Sequence, residues 1–390
     1  MTARQEFEGR LAASLADLRA DGLLRQMKLP QGLDLVSNDY LGLAEHPYIT
    51  EAMRAAAANL PAGSGGSRLL RGHHEVFEWI EERLAAFSGT EAALLFGSGY
   101  AANTGLLQAI VSNDDLIVSD AHNHASLIDG IRLTRAGTLV YPHQDLHALD
   151  RALEKPRRGR AIVVTESVFS MDGDVTPLRA ISEIVERRGA VLVVDEAHAT
   201  GMYGERGSGL VEAEGLRDRV LATVHTGGKA LGSGGAWVAG SRALRDVLVN
   251  RARSFIFSTA PIPVLAVALG AGLDLLKSEP SRRREVHRKS ALLRHALSER
   301  GVHASGGCFI VPIILGSNEA ALAVQAGLTS AGFDVRAIRP PSVAPGTARL
   351  RVTVRYPVGD EDLLRFAGEV ARLVKTAVAT CATAIGVVTP

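Results

Sequence analysis

Two apolar runs, Ala161-Ile-Val-Val-Thr165 and Ala190-Val-Leu-Val-Val-Asp195, limit what this chain can fold into more than any other feature. Both are continuous rather than alternating, rich in β-branched residues and too short for an ordinary helix. Strands of that texture are buried on both faces, as in parallel sheets covered by helices. Further strand-like runs occur at Ala93–Phe96, Leu116–Ser119, Thr138–Tyr141, Val220–Thr226 and Ala236–Ala239. Amphipathic helical patterns at Asn123–Thr134, Leu146–Leu153 and Leu178–Arg188 lie between them. The alternation predicts an α/β domain with a mostly parallel central sheet and helices on both faces.

After Pro261 the texture changes. Helical patterns at Val264–Leu276 and Ser281–Arg300 lead into a strand at Phe309–Leu315 and a helix around Glu319–Ala331. A strand at Arg349–Val354 and a helix near Glu361–Val378 follow. This mixture predicts a smaller C-terminal α+β domain. With an N-terminal helix and extended segment, the chain divides at 1–45, 46–275 and 276–390.

Composition narrows the function. Forty-three Lys+Arg against forty-two Asp+Glu leave a net charge of +1, which argues against a general nucleic-acid binder with its strong basic excess. The two cysteines, Cys308 and Cys381, sit in no metal or redox spacing and cannot build a disulfide framework, so a cytoplasmic, reducing setting is expected. The N-terminus is charged and amphipathic, without the apolar core of a secretion signal. No apolar run reaches the roughly 18 residues of a membrane span.

In open α/β sheets ligands sit at the carboxyl ends of the strands. Polar residues collect there: Ser119 and Asp120, Glu166 and Ser170, Asp195 and His198, Thr226 and Lys229. Two motifs point elsewhere. Gly97-Ser-Gly99-Tyr-Ala-Ala102 matches a dinucleotide fingerprint, with Asp120 as its acid, and makes an NAD-dependent dehydrogenase the alternative from a different class. The rest of the constellation has no use for a hydride carrier, whereas a phosphate at that helix N-terminus remains attractive. Asp120-x-His122-x-His124 and His73-His74 offer metal ligands, but one histidine in a site with the others capping helices is the simpler reading, and no metal is expected.

One cofactor uses the remaining set as a unit. Pyridoxal phosphate needs a lysine to hold its aldehyde, an acid to keep its ring nitrogen protonated and an anion cradle. Lys229 in its glycine turn, Asp195 ending a buried strand and the Gly99-Tyr100 amides supply these, and His124 could cover a ring face.

Six motifs then occur in order: Ser37-Asn-Asp-Tyr-Leu-Gly-Leu43, Gly63-Ser-Gly-Gly-Ser-Arg68, Asp120-x-x-x-His124-Ala-Ser126, Glu166-Ser-Val-Phe-Ser-Met-Asp-Gly-Asp174, Asp195-Glu-Ala-His198 and Thr226-x-Gly-Lys229-Ala-Leu-Gly232. From about residue 10 to 375 the chain closely resembles the α-oxoamine synthases, pyridoxal-phosphate enzymes of fold type I, the aspartate-aminotransferase fold. Within that family it looks most like the acyltransferases that condense L-alanine with a pimeloyl thioester, pimeloyl-CoA or pimeloyl-ACP, in biotin biosynthesis. The nearest rivals join glycine to acetyl-CoA or succinyl-CoA.

The resemblance implies roles. Lys229 would carry the cofactor, Asp195 and His198 would meet the pyridine nitrogen and the phenolic oxygen, and His124 would stack on the ring. Ser170 would lie at the cofactor, and Thr226 with the Gly99 and Tyr100 backbone would reach the phosphate. Ser258 and Thr259 resemble a segment that touches the phosphate from a neighbouring subunit, which implies a homodimer with the active site at its interface. Arg25, Asn38, His124, Ser342 and Arg351 match substrate-side positions, Arg351 pairing the amino-acid carboxylate through bidentate geometry. Gly227 stands where relatives carry a bulkier apolar residue, which would loosen the lysine turn. The basic run Arg282–Arg284 with Arg288 and Lys289 is a candidate dock for an acidic carrier.

Overall fold

The computed structural model describes residues 1–384, with side chains to 376, so Cys381 lies outside the described side chains. Contacts divide the chain into two compact units, 38–170 with 174–286, and 1–37 with 171–173 and 287–390.

The larger unit is built on a seven-stranded sheet. Its strands are β1 (Ala92–Phe96), β2 (Leu116–Asp120), β3 (Gly137–Tyr141), β4 (Ala161–Glu166), β5 (Val191–Asp195), β6 (Ala222–Thr226) and β7 (Ala236–Gly240). They lie in the order β1-β7-β6-β5-β4-β2-β3, and only β7 runs antiparallel to its neighbours. Every residue of β4 and nearly all of β5 is buried, as continuous apolar runs require. Residues Ile162, Val164, Val193 and Val224 share one core cluster with Leu106 and Leu107 of the Gly99–Ile110 helix. Side chains on a strand alternate with period two, so Glu166, Asp195 and Thr226 project from that same face. Burying each such Val or Leu is worth about 1.5–3 kcal/mol, which fixes the register and with it the face of the polar strand ends. Glu166 and Asp195 are register partners.

Among the boundaries that differ from the sequence reading, two have a local cause. The helix expected from Asn123 begins at Ala125, because the His124 ring takes the N-cap role and accepts from the Ser126 amide at 3.2 Å. Histidine is outside the usual capping set, so the signal is invisible by residue type. The strand expected from Val220 begins at Ala222, after a 3-10 turn at Arg217–Arg219.

Asp120 leaves β2 on the opposite face from the site. Its buried carboxylate accepts from the His122 and Gln144 amides at 2.8 and 3.0 Å and meets His143 Nδ1 at 2.8 Å. His143 also reaches Asp174 at 3.3 Å and stacks on His122, with centroids 4.1 Å apart. Burial would lower the His143 pKa, but its bonds to Asp120 and Asp174 and their charges prevail and raise it to about 9. A folded pKa above the unfolded value means the charged form stabilises the fold. That stability is fully present below pH ~6.5 and is lost as pH rises through ~9. Because the ring is only partly buried, we expect the wild type to lose about 1–2 kcal/mol more than His143→Gln between pH 6 and 10 in urea unfolding. Parallel pH slopes would refute the assignment.

In the smaller unit β8 (Ile310–Gly316), β9 (Arg336–Ile338) and β10 (Ala348–Thr353) form an antiparallel sheet in the order β9-β10-β8. Leu33–Asp34 pairs in parallel with Phe333–Asp334, tying the extended N-terminal segment to this unit. The first helix, Ala3–Ala20, opens with a Thr2–Gln5 capping box and buries none of its residues. Among the described residues no helix is long and apolar enough to cross a membrane.

Candidate active site

Lys229 occupies a tight loop between β6 and β7. The Gly227 amide bonds to the Gly235 carbonyl at 2.9 Å, the Ser233 amide to the Gly227 carbonyl at 2.9 Å, and the Gly232 amide to the Lys229 carbonyl at 2.9 Å. Gly227 does not loosen this turn. A Cβ there would lie 2.2 Å from Leu269 Cδ2 and 2.5 Å from the Gly234 carbonyl oxygen, so the space is filled by Leu269. The half-buried Lys229 turns its Nζ to within 3.0 Å of His198 Nε2. On the far side of that ring, Nδ1 lies 2.6 Å from the hydroxyl of Tyr40, which is fully buried. Tyr40 Oη also lies 3.2 Å from Asn38 Oδ1.

Asp195 is 6% exposed, and each of its oxygens is held. Oδ1 accepts from the Ala197 amide at 2.8 Å and Oδ2 from Asn103 Nδ2 at 2.7 Å. Asn103 also donates to Ser126 Oγ at 2.9 Å and leaves its own Oδ1 unsatisfied. A buried amide that tolerates an orphan oxygen to hold a carboxylate marks Asp195 as a group whose position matters. The sequence reading missed Asn103. Its signal was faint: it follows the glycine-rich element by one helical turn, on the face that meets the sheet.

Glu166 lies beside Asp195 and is fully enclosed. It accepts the His124 amide at 2.6 Å. Burial, then the neighbouring Asp195 charge, push its carboxyl well above the usual range, with Lys229 opposing, so its neutral form is favoured. The His124 imidazole meets Ser126 Oγ at 2.8 Å. Desolvation lowers its pKa, opposed by Asp195 and assisted by Lys229. His124 and Glu166 thus both feel the charges of Asp195 and Lys229.

At the phosphate end Ser98 caps the Gly99–Ile110 helix, its Oγ accepting from the Ala101 amide at 3.1 Å. The amides of Gly99 and Tyr100 open the first turn, where a helix leaves N–H groups without intrahelical partners. The Tyr100 phenol donates to Asp129 at 2.5 Å. Thr226 Oγ1 lies 3.3 Å from both the Gly228 amide and the Gly235 carbonyl. Ser170 is half-buried after β4, and Ser258 and Thr259 are exposed. Asp120, the acid a nicotinamide ribose would require, is 2% exposed and engaged by His122, His143 and Gln144. Among the described residues no group of three or more His, Cys, Asp or Glu is placed to hold a metal.

Three expected residues lie in the smaller unit. Arg351, on β10, is buried and donates to Thr353 Oγ1 at 3.0 Å. Arg25 donates to Ser342 Oγ at 3.1 Å. That pair lines a cavity of about 420 Å³ together with Arg19, Lys28, Arg336 and Arg339. The basic run is largely engaged internally. Arg282 pairs with Glu279, Arg283 donates to the Glu205 carbonyl at 2.9 Å, Arg288 pairs with Asp360 at 2.6 Å, and Lys289 donates to the Tyr356 carbonyl at 2.7 Å.

A buried carboxylate held by two donors, a lysine amine against an imidazole and an open helix N-terminus all belong to the larger unit. Their chemistry fits pyridoxal phosphate. The aminotransferase class I and II family matches residues 30–369. An 8-amino-7-oxononanoate synthase from Geobacter sulfurreducens is 44% identical over 382 residues, covering 94% of this chain and 98% of that protein. Among solved structures, a lysine-to-alanine variant of serine palmitoyltransferase from S. paucimobilis with a bound PLP–myriocin aldimine aligns with a TM-score of 0.89 at 25% identity, covering 97% of this chain and 100% of that one. An 8-amino-7-oxononanoate synthase from Francisella tularensis aligns with a TM-score of 0.79 at 25% identity, covering 89% and 99%.

Proposed function

We propose that this chain, which belongs to the aminotransferase class I and II family, condenses L-alanine with a pimeloyl thioester to give 8-amino-7-oxononanoate, carbon dioxide and a free thiol. The observation that carries the reading is the 3.0 Å contact between Lys229 Nζ and His198 Nε2, in a unit that also buries Asp195. The cofactor is pyridoxal phosphate, which supplies a ring that stores the electron pair freed when the alanine Cα–H bond breaks.

Lys229 would hold the cofactor aldehyde, and its Nζ would be the base that accepts the alanine Cα proton and the acid that returns a proton to Cα after carbon dioxide leaves, solvent supplying the proton of the thiol. Asp195 holds a proton at the pyridine nitrogen, and Asn103 and the Ala197 amide keep the carboxylate aimed. A neutral Glu166 leaves Asp195 as the carboxylate that sets the charge at that nitrogen. His198 would meet the phenolic oxygen, Ser170 would lie beside the cofactor, and His124 would stack on the ring. The amides of Gly99 and Tyr100 with Thr226 hold the phosphate, as helix N-termini do. Arg351 would pair the alanine carboxylate, and Asn38, Ser342 and Arg25 are the further residues assigned to substrate by the resemblance. The thioester carbon gains a bond to Cα as the C–S bond breaks, and the carboxylate then leaves as carbon dioxide.

A second copy of the chain completes the site. Ser258 and Thr259 are exposed, as are the apolar side chains of Phe257 and Ile262 on either side of them and of Leu69 and Leu70 shortly after Gly66. The two segments are joined by the Ala260 amide bonding to the Gly66 carbonyl at 2.9 Å. An apolar patch beside phosphate-facing residues suits a self-complementary interface. A cytoplasmic location is part of this reading and rests on the two cysteines, which build no disulfide framework. The test is a panel of alanine, glycine and serine against pimeloyl-CoA, pimeloyl-ACP, acetyl-CoA and succinyl-CoA, read by product mass, with light scattering for the oligomer. Product from alanine with either pimeloyl donor and a dimeric mass are expected. Turnover of glycine with a short acyl-CoA alone, or a monomer that turns over fully, would overturn the corresponding part.

A further inference from the structure

The hydroxyl of Tyr40 is fully buried, sits in the Ser37–Leu43 turn and lies 2.6 Å from His198 Nδ1. That turn is rigid: Asp39 Oδ1 accepts the Leu43 amide at 2.8 Å and the Tyr40 amide bonds to the Asn38 carbonyl at 2.8 Å. The hydroxyl carries one proton and faces two acceptors, Asn38 Oδ1 at 3.2 Å and His198 Nδ1 at 2.6 Å. To oxygen acceptors, N–H donors usually lie at about 2.7–3.2 Å and O–H donors at about 2.5–3.0 Å. The shorter contact suits a donating hydroxyl and an accepting Nδ1.

We propose that Tyr40 is a positioning residue that fixes the tautomer of His198 and thereby keeps the Lys229 amine in its uncharged, reactive form. With Nδ1 occupied by the Tyr40 proton, a neutral ring carries its own proton on Nε2, 3.0 Å from Lys229 Nζ. An N–H pointed at an ammonium is repelled, but pointed at a neutral amine it donates to the nitrogen lone pair. Only the neutral amine can attack an aldehyde carbon, a condensation that releases one water. Without the hydroxyl the ring is free to place its proton on Nδ1 and accept at Nε2 from an ammonium, which favours the unreactive form. The inference rests on pyridoxal phosphate being captured at Lys229.

Nitrogen-15 histidine NMR on the cofactor-free protein at pH 8, with His198 assigned by loss of its signals in His198→Gln, reads the ring directly. Nε2 protonated and Nδ1 bare is expected in the wild type, and the reverse overturns the proposal whether or not Tyr40→Phe folds. In Tyr40→Phe we expect covalent capture of pyridoxal phosphate to slow about tenfold at pH 7 and its pH profile to move up by about one unit. A purely structural tyrosine would change unfolding but leave that profile superimposed on the wild type, which also overturns the proposal. Failure of the wild type to capture the cofactor at all would instead strike the functional reading, with the ring-proton assignment still standing.

Discussion

Lys229→Ala is expected to abolish turnover, by about 10⁴-fold or more, while the protein stays folded. The residue supplies both the covalent anchor and the base that moves the Cα proton, so its loss removes two functions at once. The fold has little stake in the side chain, because the turn around it is closed by backbone bonds of Gly227, Ser233 and Gly232. Borohydride treatment of the wild type followed by peptide mass mapping should find the cofactor fixed on Lys229 and nowhere else. Label on another lysine, or a Lys229→Ala protein within a hundredfold of wild-type rate, would refute the assignment.

The second large effect is expected at Asp195. Asp195→Asn keeps the size but removes the charge that holds a proton on the ring nitrogen, and kcat should fall roughly 10²–10⁴-fold. Cofactor affinity should fall with it, because the asparagine can offer an acceptor to only one of the donors Asn103 and Ala197. The two donors now serving one carboxylate then compete for one oxygen, and the unserved one is left buried. Equilibrium dialysis of pyridoxal phosphate, with kcat measured at saturating cofactor, separates the two losses. Near-normal kcat at saturation would show that Asp195 only anchors the cofactor.

Much of this site was legible before any coordinates. Asp195, Glu166 and Thr226 were readable as strand-end polar groups because apolar runs of β-branched residues announce their own strands. Lys229 was legible from its glycine turn together with a distant acid. Tyr40 and Asn103 were not. Tyr40 meets His198 across 158 residues of sequence and Asn103 meets Asp195 across 92, and no local pattern records such a meeting. The reading of Gly227 failed for a related reason: the volume beside it belongs to Leu269, on a helix after the sheet is complete. The basic run from Arg282 to Lys289 gave no sign in sequence of its partners at Glu279, Glu205, Tyr356 and Asp360, which are distant or irregularly spaced along the chain.

Alone, the string of residues determined which segments are strands buried on both faces and therefore at which strand ends the reactive groups collect. Continuous β-branched runs closed by polar residues carry that signal locally. Tertiary structure alone decided the strand order that sets Glu166 beside Asp195 and the hydrogen bond that ties Tyr40 through His198 to Lys229. Those depend on how long loops close and which side chains they bring within ångströms of each other, and loop closure leaves no periodic mark in a sequence.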